Sequence, residues 1–334
     1  MKGKLLSIIF AVLLLTIVFS GCFEDTLKEE TIKGEVIYEN LTIEDLDFTI
    51  DNYPKTDSST SAYPLNYIIA CNILNSSYIW TQPYYLNYQR SLVISSSDTN
   101  ISYFIEDINI SGTHGSYVNL IDGNADLILV ARLPSEDELS HANNNSIELV
   151  AKPVALDAFV FITNIANPVD SLTIQEIQDI YTKSITNWSQ VGGNPINITA
   201  YQRNKNSGSQ ELMETLVMKD LKMANTPELI EYGMGGPFDQ LIYDSEGSGI
   251  AYTVYYYKEF LTNTSASIKM IGVNGILPNY GNISNMEYEY ISEVYSVIRS
   301  NLNPESTAYK LRDWLLGIDG QGVVKESGYV PILE

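Results

Sequence analysis

The sequence is poor in cysteine and in basic residues, and each shortage excludes a class of protein. Its 334 residues include two cysteines, Cys22 and Cys71, which are too few for a disulfide scaffold or a zinc ribbon. Lysine and arginine together number 19, against 41 aspartate and glutamate residues, so the formal net charge is −22. A nucleic-acid-binding protein that relies on basic phosphate contacts is therefore not expected.

The sequence also lacks the motifs of the common hydrolases. It has two histidines, His114 and His141, and contains no G-x-S-x-G, H-E-x-x-H, C-x-x-C or P-loop sequence. The sequence therefore lacks the residue patterns of serine hydrolases, zinc hydrolases and nucleotide hydrolases. We expect no enzymatic activity, no cofactor and no resident metal. A glycosidase is only weakly disfavoured, because sequence alone does not pair two carboxylates across a sugar.

What remains is the composition of a folded protein. Hydrophobic residues make up 45% of the chain and charged residues 18%, which excludes a disordered, collagenous or coiled-coil protein. At roughly 150 residues per domain, the length predicts two units with cores of their own.

The N-terminus has the features of a secretory signal. Lys2 and Lys4 precede an apolar run from Leu5 to Phe19, and Ser20-Gly21 leads into Cys22. As a helix the run rises only ~22 Å, less than the ~30 Å of a bilayer core. We predict a signal peptide over residues 1–22, similar to a lipobox with lipid attached at Cys22; an uncleaved short anchor is the alternative. The acidic residues 23–45 are interpreted as a tether.

Beyond the tether, strand-like and helix-like runs alternate, which predicts an α/β protein with mainly parallel sheets. Cys71 lies in one apolar run and is expected to be a buried structural cysteine. Aromatic residues such as Trp188 and Tyr252 are expected in the core. The acidic run Glu136-Asp137-Glu138 is interpreted as a solvated face. The strand-like runs are Leu92–Ser95, Leu127–Val130, Ile147–Val150, Phe159–Thr163, Ile196–Tyr201 and Gly249–Val254.

At three places a loop of small hydroxyl residues opens directly into a predicted helix. The first junction is residues 57–61, with Pro64 close behind; the second is residues 111–116; the third is residues 203–211. In the third, Ser207-x-x-Gln210 has the spacing of a capping box.

Such junctions can hold an anion. A helix N-terminus leaves backbone N–H groups unpaired and carries roughly half a positive charge. Glycine lets an oxyanion approach the backbone, and neighbouring hydroxyls donate further hydrogen bonds. A serine or threonine at one helix start is ordinarily only a cap, but three junctions, one of them with Arg203 four residues upstream, indicate an anion held between helix ends.

At these junctions the sequence resembles the phosphate-binding lipoproteins of phosphate ABC transporters, which are type II periplasmic-binding-protein-like. The resemblance runs along nearly the whole mature chain. The segments that carry it are Asp57-Ser58-Ser59-Thr60-Ser61-Ala62-Tyr63-Pro64-Leu65, Gly112-Thr113-His114-Gly115-Ser116, residues 119–127, residues 150–160, residues 172–193, which end in Trp188-Ser189-Gln190-Val191-Gly192-Gly193, and Arg203 with Ser207-Gly208-Ser209.

The resemblance implies two α/β lobes, each with a central mainly parallel sheet flanked by helices, joined by two crossover strands. Lobe I would comprise residues 46–153 and 256–334, and lobe II residues 154–255. Phosphate would lie between the lobes, and Arg203 would grip two of its oxygens with a planar guanidinium. The phosphate-binding residues implied by position are Ser59, Thr60, Ser61, Thr113, Arg203, Ser207, Gly208 and Ser209.

One position departs from the family pattern. Members of the family place an aspartate after the strand that corresponds to Leu127–Val130, where it accepts a hydrogen bond from protonated phosphate. Here the chain reads Ala131-Arg132-Leu133. Asp57, Arg132 and His114 are the candidates for a proton-reading or auxiliary role. Asp57 is alternatively a turn former, and Arg132 alternatively an outward ion pair.

The function implied is that of an extracytoplasmic, lipid-anchored, monomeric solute-binding protein of the cell membrane, which passes inorganic phosphate to an ABC transporter permease. Two alternatives stay open. One is a binder of another tetrahedral oxyanion such as sulfate, because the aspartate is missing. The other is a surface structural or sensory glycoprotein, which the nine N-x-Ser/Thr sequons favour.

Overall fold

The computed structural model describes residues 41–82, 88–95 and 97–333. The predicted signal peptide, Cys22 and the tether up to residue 40 lie outside these residues. Among the described residues, no helix has both the length and the apolar character needed to span a membrane.

Thirteen strands and twelve α-helices are formed by the described residues. The strands are β1 Thr56–Ser58, β2 Ser77–Thr81, β3 Ser91–Ser95, β4 Leu127–Val130, β5 Leu149–Asn164, β6 Ser171–Leu172, β7 Thr199–Ala200, β8 Gln202–Arg203, β9 Ile230–Glu231, β10 Gly249–Val254, β11 Ile268–Val273, β12 Ile291–Arg299 and β13 Val330–Pro331. The helices are α1 Ile43–Leu46, α2 Tyr63–Ile73, α3 Thr99–Glu106, α4 Gly112–Ile121, α5 Glu136–Asn144, α6 Ile174–Tyr181, α7 Gly208–Leu212, α8 Gly236–Ile242, α9 Tyr255–Phe260, α10 Tyr280–Ser284, α11 Thr307–Leu316 and α12 Ile318–Glu326.

The 16-residue strand β5 organises the main sheet, whose order is β1-β4-β12-β5-β10-β7. Its first half pairs antiparallel with β12, and its second half pairs antiparallel with β10 and β11. Parallel pairs lie further out: β1 with β4, β7 with β10, and β6 with β11. The α/β class is therefore confirmed, in a sheet that has antiparallel pairs along β5 and between β12 and β4, and parallel pairs further out.

The predicted strand Phe159–Thr163 and the second half of the predicted strand Ile147–Val150 are parts of this one strand β5. Lys152-Pro153 interrupts the apolar pattern between them, and proline cannot donate to a strand ladder. The partner strand accommodates it with a register shift between Val294 and Tyr295, where Tyr295 pairs with Pro153. A β-bulge of this kind keeps the strand continuous despite the proline.

Trp188 and Tyr252 lie in the core, as predicted. Trp188 is fully buried and donates its indole N–H to the Ser248 carbonyl at 2.9 Å. Tyr252 packs against Phe159 and Tyr181 with ring centroids 5.3 and 5.6 Å apart. Cys71 is also buried, as expected, and burial raises the pKa of its thiol to about 12.

The boundaries of the two lobes stay a prediction. The strands β1, β4 and β12 gather beside the first half of β5, and β7, β10 and β11 gather beside or beyond its second half. The segment β11, which the sequence-based boundaries assign to lobe I, pairs with Phe161–Asn164 at the end of β5.

Asp157 is a buried acid in the middle of β5. Its Oδ1 accepts hydrogen bonds from the N–H groups of Ala158 at 2.8 Å and Tyr256 at 3.0 Å, whereas its buried Oδ2 has no partner among the described residues. Burial, which disfavours the charged form, raises the pKa of Asp157 to about 7.

The raised pKa predicts a loss of stability with rising pH. Below the unfolded-state pKa near 4, the carboxyl is protonated in both states and costs no stability. Between about pH 4 and pH 7 it is ionised in the unfolded state but still largely protonated in the folded state, so the free energy of unfolding falls, by about 4 kcal/mol in total. Asp157→Asn should therefore flatten the urea-unfolding free energy between about pH 4 and pH 8. Asp51→Asn, at an exposed aspartate, is the control. Equal pH slopes in Asp157→Asn and wild type would contradict the prediction.

Candidate anion-binding site

The three hydroxyl junctions come together around a cavity of about 460 Å³. The cavity is lined by the loop before α2, by the start of α4 and by the segment from β8 into α7. All eight residues predicted to bind phosphate lie on its wall: Ser59, Thr60, Ser61, Thr113, Arg203, Ser207, Gly208 and Ser209. Whether these residues bind phosphate stays a prediction.

The first two junctions present free hydroxyls to this cavity. Ser59 Oγ accepts the Ala62 N–H at 3.3 Å, which closes the turn into α2. The hydroxyls of Thr60 and Thr113 have no hydrogen-bond partner among the described residues. Gly112 begins α4 with φ +73°, a conformation that glycine adopts without steric cost. Thr113 is buried, so bulk water has little access to its hydroxyl.

The third junction differs in detail from its predicted capping box. Ser207 Oγ accepts the Gln210 N–H at 3.2 Å, as a cap should. The Gln210 side chain, however, does not return to Ser207. Its Oε1 accepts from the Arg203 N–H at 3.1 Å and from the Tyr252 hydroxyl at 2.5 Å, which fastens strand β8 to helix α7.

The second and third junctions touch at Gly208. A Cβ at this position would lie 2.7 Å from Thr113 Oγ1, closer than side chains tolerate. Glycine therefore permits the start of α7 to approach the start of α4. This close approach closes the cavity on one side.

Arg203 is the principal charge of the cavity. It is 6% exposed; its Nε donates to the Glu231 carbonyl at 3.1 Å, and Nη1 lies 3.2 Å from Met234 Sδ. No carboxylate lies within 4 Å of its guanidinium in the described part of the chain. Burial lowers the pKa of Arg203 from its ordinary value, although an arginine stays charged at neutral pH.

The other strongly buried cations of the described residues have acidic partners. Arg132 pairs with Glu138 at 2.7 Å, Arg312 with Asp313 at 2.7 Å and Lys258 with Glu259 at 3.4 Å. Buried charges are costly unless paired. An added anion would therefore stabilise an unpaired guanidinium on a cavity wall.

Asp57, a candidate for reading the proton of the ligand, is placed elsewhere. It is fully buried beneath the junctions and does not line the cavity. Oδ1 accepts from the Ser111 N–H at 2.9 Å and the Ser116 hydroxyl at 3.1 Å, and Oδ2 accepts from Asn119 at 2.7 Å. Asp57 therefore ties the first junction to α4, and a proton-reading role for it stays a prediction.

Arg132 is likewise turned away from the cavity. Its guanidinium grips Glu138 with two hydrogen bonds, of 2.7 and 2.9 Å, and its Nη1 also donates to the Leu133 carbonyl at 2.8 Å. The ion pair is buried rather than outward, since Arg132 is 5% exposed, and a contact of Arg132 with the ligand stays a prediction. Its charge is neutralised by Glu138.

Glu138 was missed by sequence reasoning. The acidic run at residues 136–138 was interpreted as solvated, yet Glu138 is fully buried. It also accepts from the Ser135 N–H at 2.8 Å, completing a Ser135-x-x-Glu138 capping box. That spacing is visible in the sequence and was the available signal.

His114, the third auxiliary candidate, does line the cavity. Its side chain is 42% exposed, and Nδ1 lies 3.0 Å from Glu138 Oε1. The other histidine, His141, is not among the residues of the cavity wall and pairs through Nε2 with Asp122 at 2.8 Å.

Comparison with known proteins identifies the family. A sequence profile described as the PBP superfamily domain matches residues 106–317, more than half of the chain. The chain belongs to this superfamily.

Individual relatives are distant. Protein SphX of Synechococcus elongatus is 22% identical over 240 residues, covering 67% of this chain and 68% of that protein. The phosphate-binding protein PstS of Bacillus subtilis is 26% identical over 189 residues, covering 56% of this chain and 59% of that protein.

Solved structures share the fold. A Clostridium perfringens protein solved with bound phosphate superposes with a TM-score of 0.60 at 22% identity, covering 84% of this chain and 100% of that one. An ABC-type phosphate transport receptor from Vibrio cholerae gives a TM-score of 0.57 at 20% identity, covering 83% and 98%. These likenesses confirm the two-lobed periplasmic-binding-protein-like fold of the PBP superfamily.

The buried pair of Arg132 and Glu138 predicts a large stability effect. Glu138→Ala should lower the free energy of unfolding by about 3–5 kcal/mol, because it leaves the Arg132 guanidinium buried and unpaired. Urea denaturation followed by circular dichroism measures this. The double variant Arg132→Met/Glu138→Leu removes both charges and should lose less than Glu138→Ala alone; a double variant that loses more would contradict the explanation.

Proposed function

We propose that this protein is an extracytoplasmic substrate-binding protein that captures inorganic phosphate in the cavity between the three junctions. The observation that carries this proposal is the buried guanidinium of Arg203, which has no acidic partner among the described residues. A tetrahedral oxyanion would supply the missing negative charge. Binding would rest on hydrogen bonds and on this charge, with no covalent step.

The acidity of the whole chain does not oppose such a site. The net charge of −22 is spread over the surface, where salt screens it within about 8 Å. Donors that touch the anion act at ~2.9 Å in a less polar medium and dominate there. The net charge should slow association more than it weakens the bound state.

The transport role extends this proposal. Relatives named as phosphate-binding proteins and a phosphate transport receptor with the same fold support it. In this role, a lipid on Cys22 would hold the protein at the outer face of the cell membrane after removal of residues 1–22. The monomer would deliver phosphate to a permease of an ABC importer, and its two lobes would close on the ligand.

A second candidate ligand is sulfate, and a specific observation favours it. No aspartate or glutamate lines the cavity among the described residues. A wall without carboxylates does not repel an oxyanion that carries no proton. The ligand panel described below distinguishes the two anions.

Arg203→Ala tests the proposed clasp. Loss of the only charge paired with a buried anion should weaken phosphate binding by about 3–5 kcal/mol, between roughly 100-fold and several thousand-fold in Kd. Isothermal titration calorimetry on the full chain in detergent measures it. Without added anion, the variant should be at least as stable as wild type, because it no longer buries an unpaired charge.

A matched control is Arg90→Ala, which removes the same charge from a guanidinium stacked on Trp80, 5.1 Å from the ring centroid. It should leave phosphate affinity unchanged. Near-equal affinity of Arg203→Ala and wild type would contradict the assigned clasp.

The ligand is identified by a thermal-shift panel of phosphate, sulfate, arsenate and molybdate, after unfolding and refolding to strip any carried ligand. An anion at 100 times its Kd stabilises by ~2.7 kcal/mol, a shift of ~5 °C at this size. A shift with phosphate supports the proposal. No shift with any anion would overturn it and favour a structural or sensory surface protein.

A further inference from the structure

The cavity wall is rich in hydrogen-bond donors, and no carboxylate of the described residues lines it. This raises the question of how the cavity would recognise a protonated oxyanion. Serine and threonine hydroxyls donate or accept by rotation, so they serve a protonated and an unprotonated oxygen alike. Guanidinium and backbone N–H groups only donate. Discrimination therefore needs an acceptor that cannot turn into a donor at the working pH.

His114 is held in the orientation that such an acceptor needs. Its Nδ1 lies 3.0 Å from Glu138 Oε1, and Glu138 also accepts two hydrogen bonds from Arg132 and one from the Ser135 N–H. A carboxylate surrounded by donors and paired with a guanidinium accepts only. The His114 Nδ1 therefore carries the proton toward Glu138.

The tautomer of the ring follows from this contact. In a neutral histidine with a protonated Nδ1, Nε2 carries a lone pair and accepts. His114 Nε2 has no hydrogen-bond partner among the described residues, and the residue lines the cavity. Nε2 is thus the ring nitrogen left to accept, on a residue of a wall rich in donors.

We propose that His114 Nε2, fixed by Glu138, accepts the hydrogen bond of a protonated oxyanion and sets the preference of the site for phosphate over sulfate. This inference rests on the proposed function. Neutral Nε2 accepts from the P–OH group of monohydrogen phosphate and repels a sulfate oxygen. Once protonated, the same atom becomes a donor and the preference reverses.

The charged groups around His114 are paired or remote, so the change from acceptor to donor is expected at His114 itself. Glu138 is matched by Arg132, and Asp137 by Lys205 at 3.2 Å, a contact that holds the pKa of Asp137 below its ordinary value. Burial raises the pKa of Glu211, which lies within electrostatic range of Arg132 and Glu138. Arg203 stays charged at every pH of interest and binds either anion.

Sulfate is the clean probe, because it carries no proton over the range in which histidine titrates. Acidification that protonates the ring should make wild type bind sulfate roughly tenfold more tightly, because Nε2 then becomes a donor. In His114→Ala, sulfate affinity should not change with pH. At about pH 8, the ratio of phosphate to sulfate affinity should fall roughly tenfold in His114→Ala.

His141→Ala is the matched control, since His141 also contacts a carboxylate, Asp122, but is not part of the cavity wall. It should keep the wild-type ratio and pH response. Calorimetry on the full chain provides each affinity. A His114→Ala variant that keeps both the ratio and the pH response of wild type would overturn the proposal, while anion binding itself would stand.

Nuclear magnetic resonance of the two histidine rings gives a second test without removing His114. Phosphate added to wild type at about pH 8 should shift the Nε2 signal of one ring, and His141→Ala assigns that signal to His114. An unmoved His114 signal at saturating phosphate would also overturn the proposal. If neither phosphate nor sulfate binds wild type, the proposed function fails together with it.

Discussion

A buried guanidinium without an acidic partner imposes the main constraint on this structure. Arg203 is fixed by the backbone of β8, by the Glu231 carbonyl and by Met234, so it cannot swing into solvent. Tyr252 and Gln210 hold its backbone N–H from two other elements. The packing of β8, β10 and α7 therefore holds a positive charge at the cavity wall, where no acidic side chain of the described residues neutralises it.

The buried charges outside the cavity wall are satisfied by their own partners. The positive charge of Arg203 therefore stays uncompensated at the cavity wall. Arg132 and Glu138 form a closed pair, and Asp57 is saturated by donors from the first two junctions. Had Glu138 or Asp57 faced the cavity, either carboxylate would have compensated Arg203 and repelled an anion. Both carboxylates instead lie outside the cavity wall, where each accepts hydrogen bonds from neighbouring loop residues.

Much of this arrangement was predictable, and the failures have physical causes. The hydroxyl junctions located the starts of α2, α4 and α7, and an apolar run located β4. The family resemblance named the eight candidate residues, which all lie on one cavity. The roles of Asp57, Arg132 and Glu138 depended on which way each side chain turned after its element ended. Sequence spacing fixes the element but not that direction, and long-range partners such as Asp57 and Asn119, 62 residues apart, decide it.

The contacts between the second and third junctions bear on how the cavity closes. Thr113 meets Gly208, and an Arg132 N–H reaches the Asn206 carbonyl at 3.5 Å, a long hydrogen bond. Lys205 and Asp137 form an ion pair whose lysine is 80% exposed, and exposed pairs contribute little. These contacts are each weak, whereas a desolvated anion against Arg203 and the N–H groups of the junctions interacts strongly. In the proposed function, the bound anion rather than the contacts between the junctions would therefore supply most of the free energy that holds the junctions together.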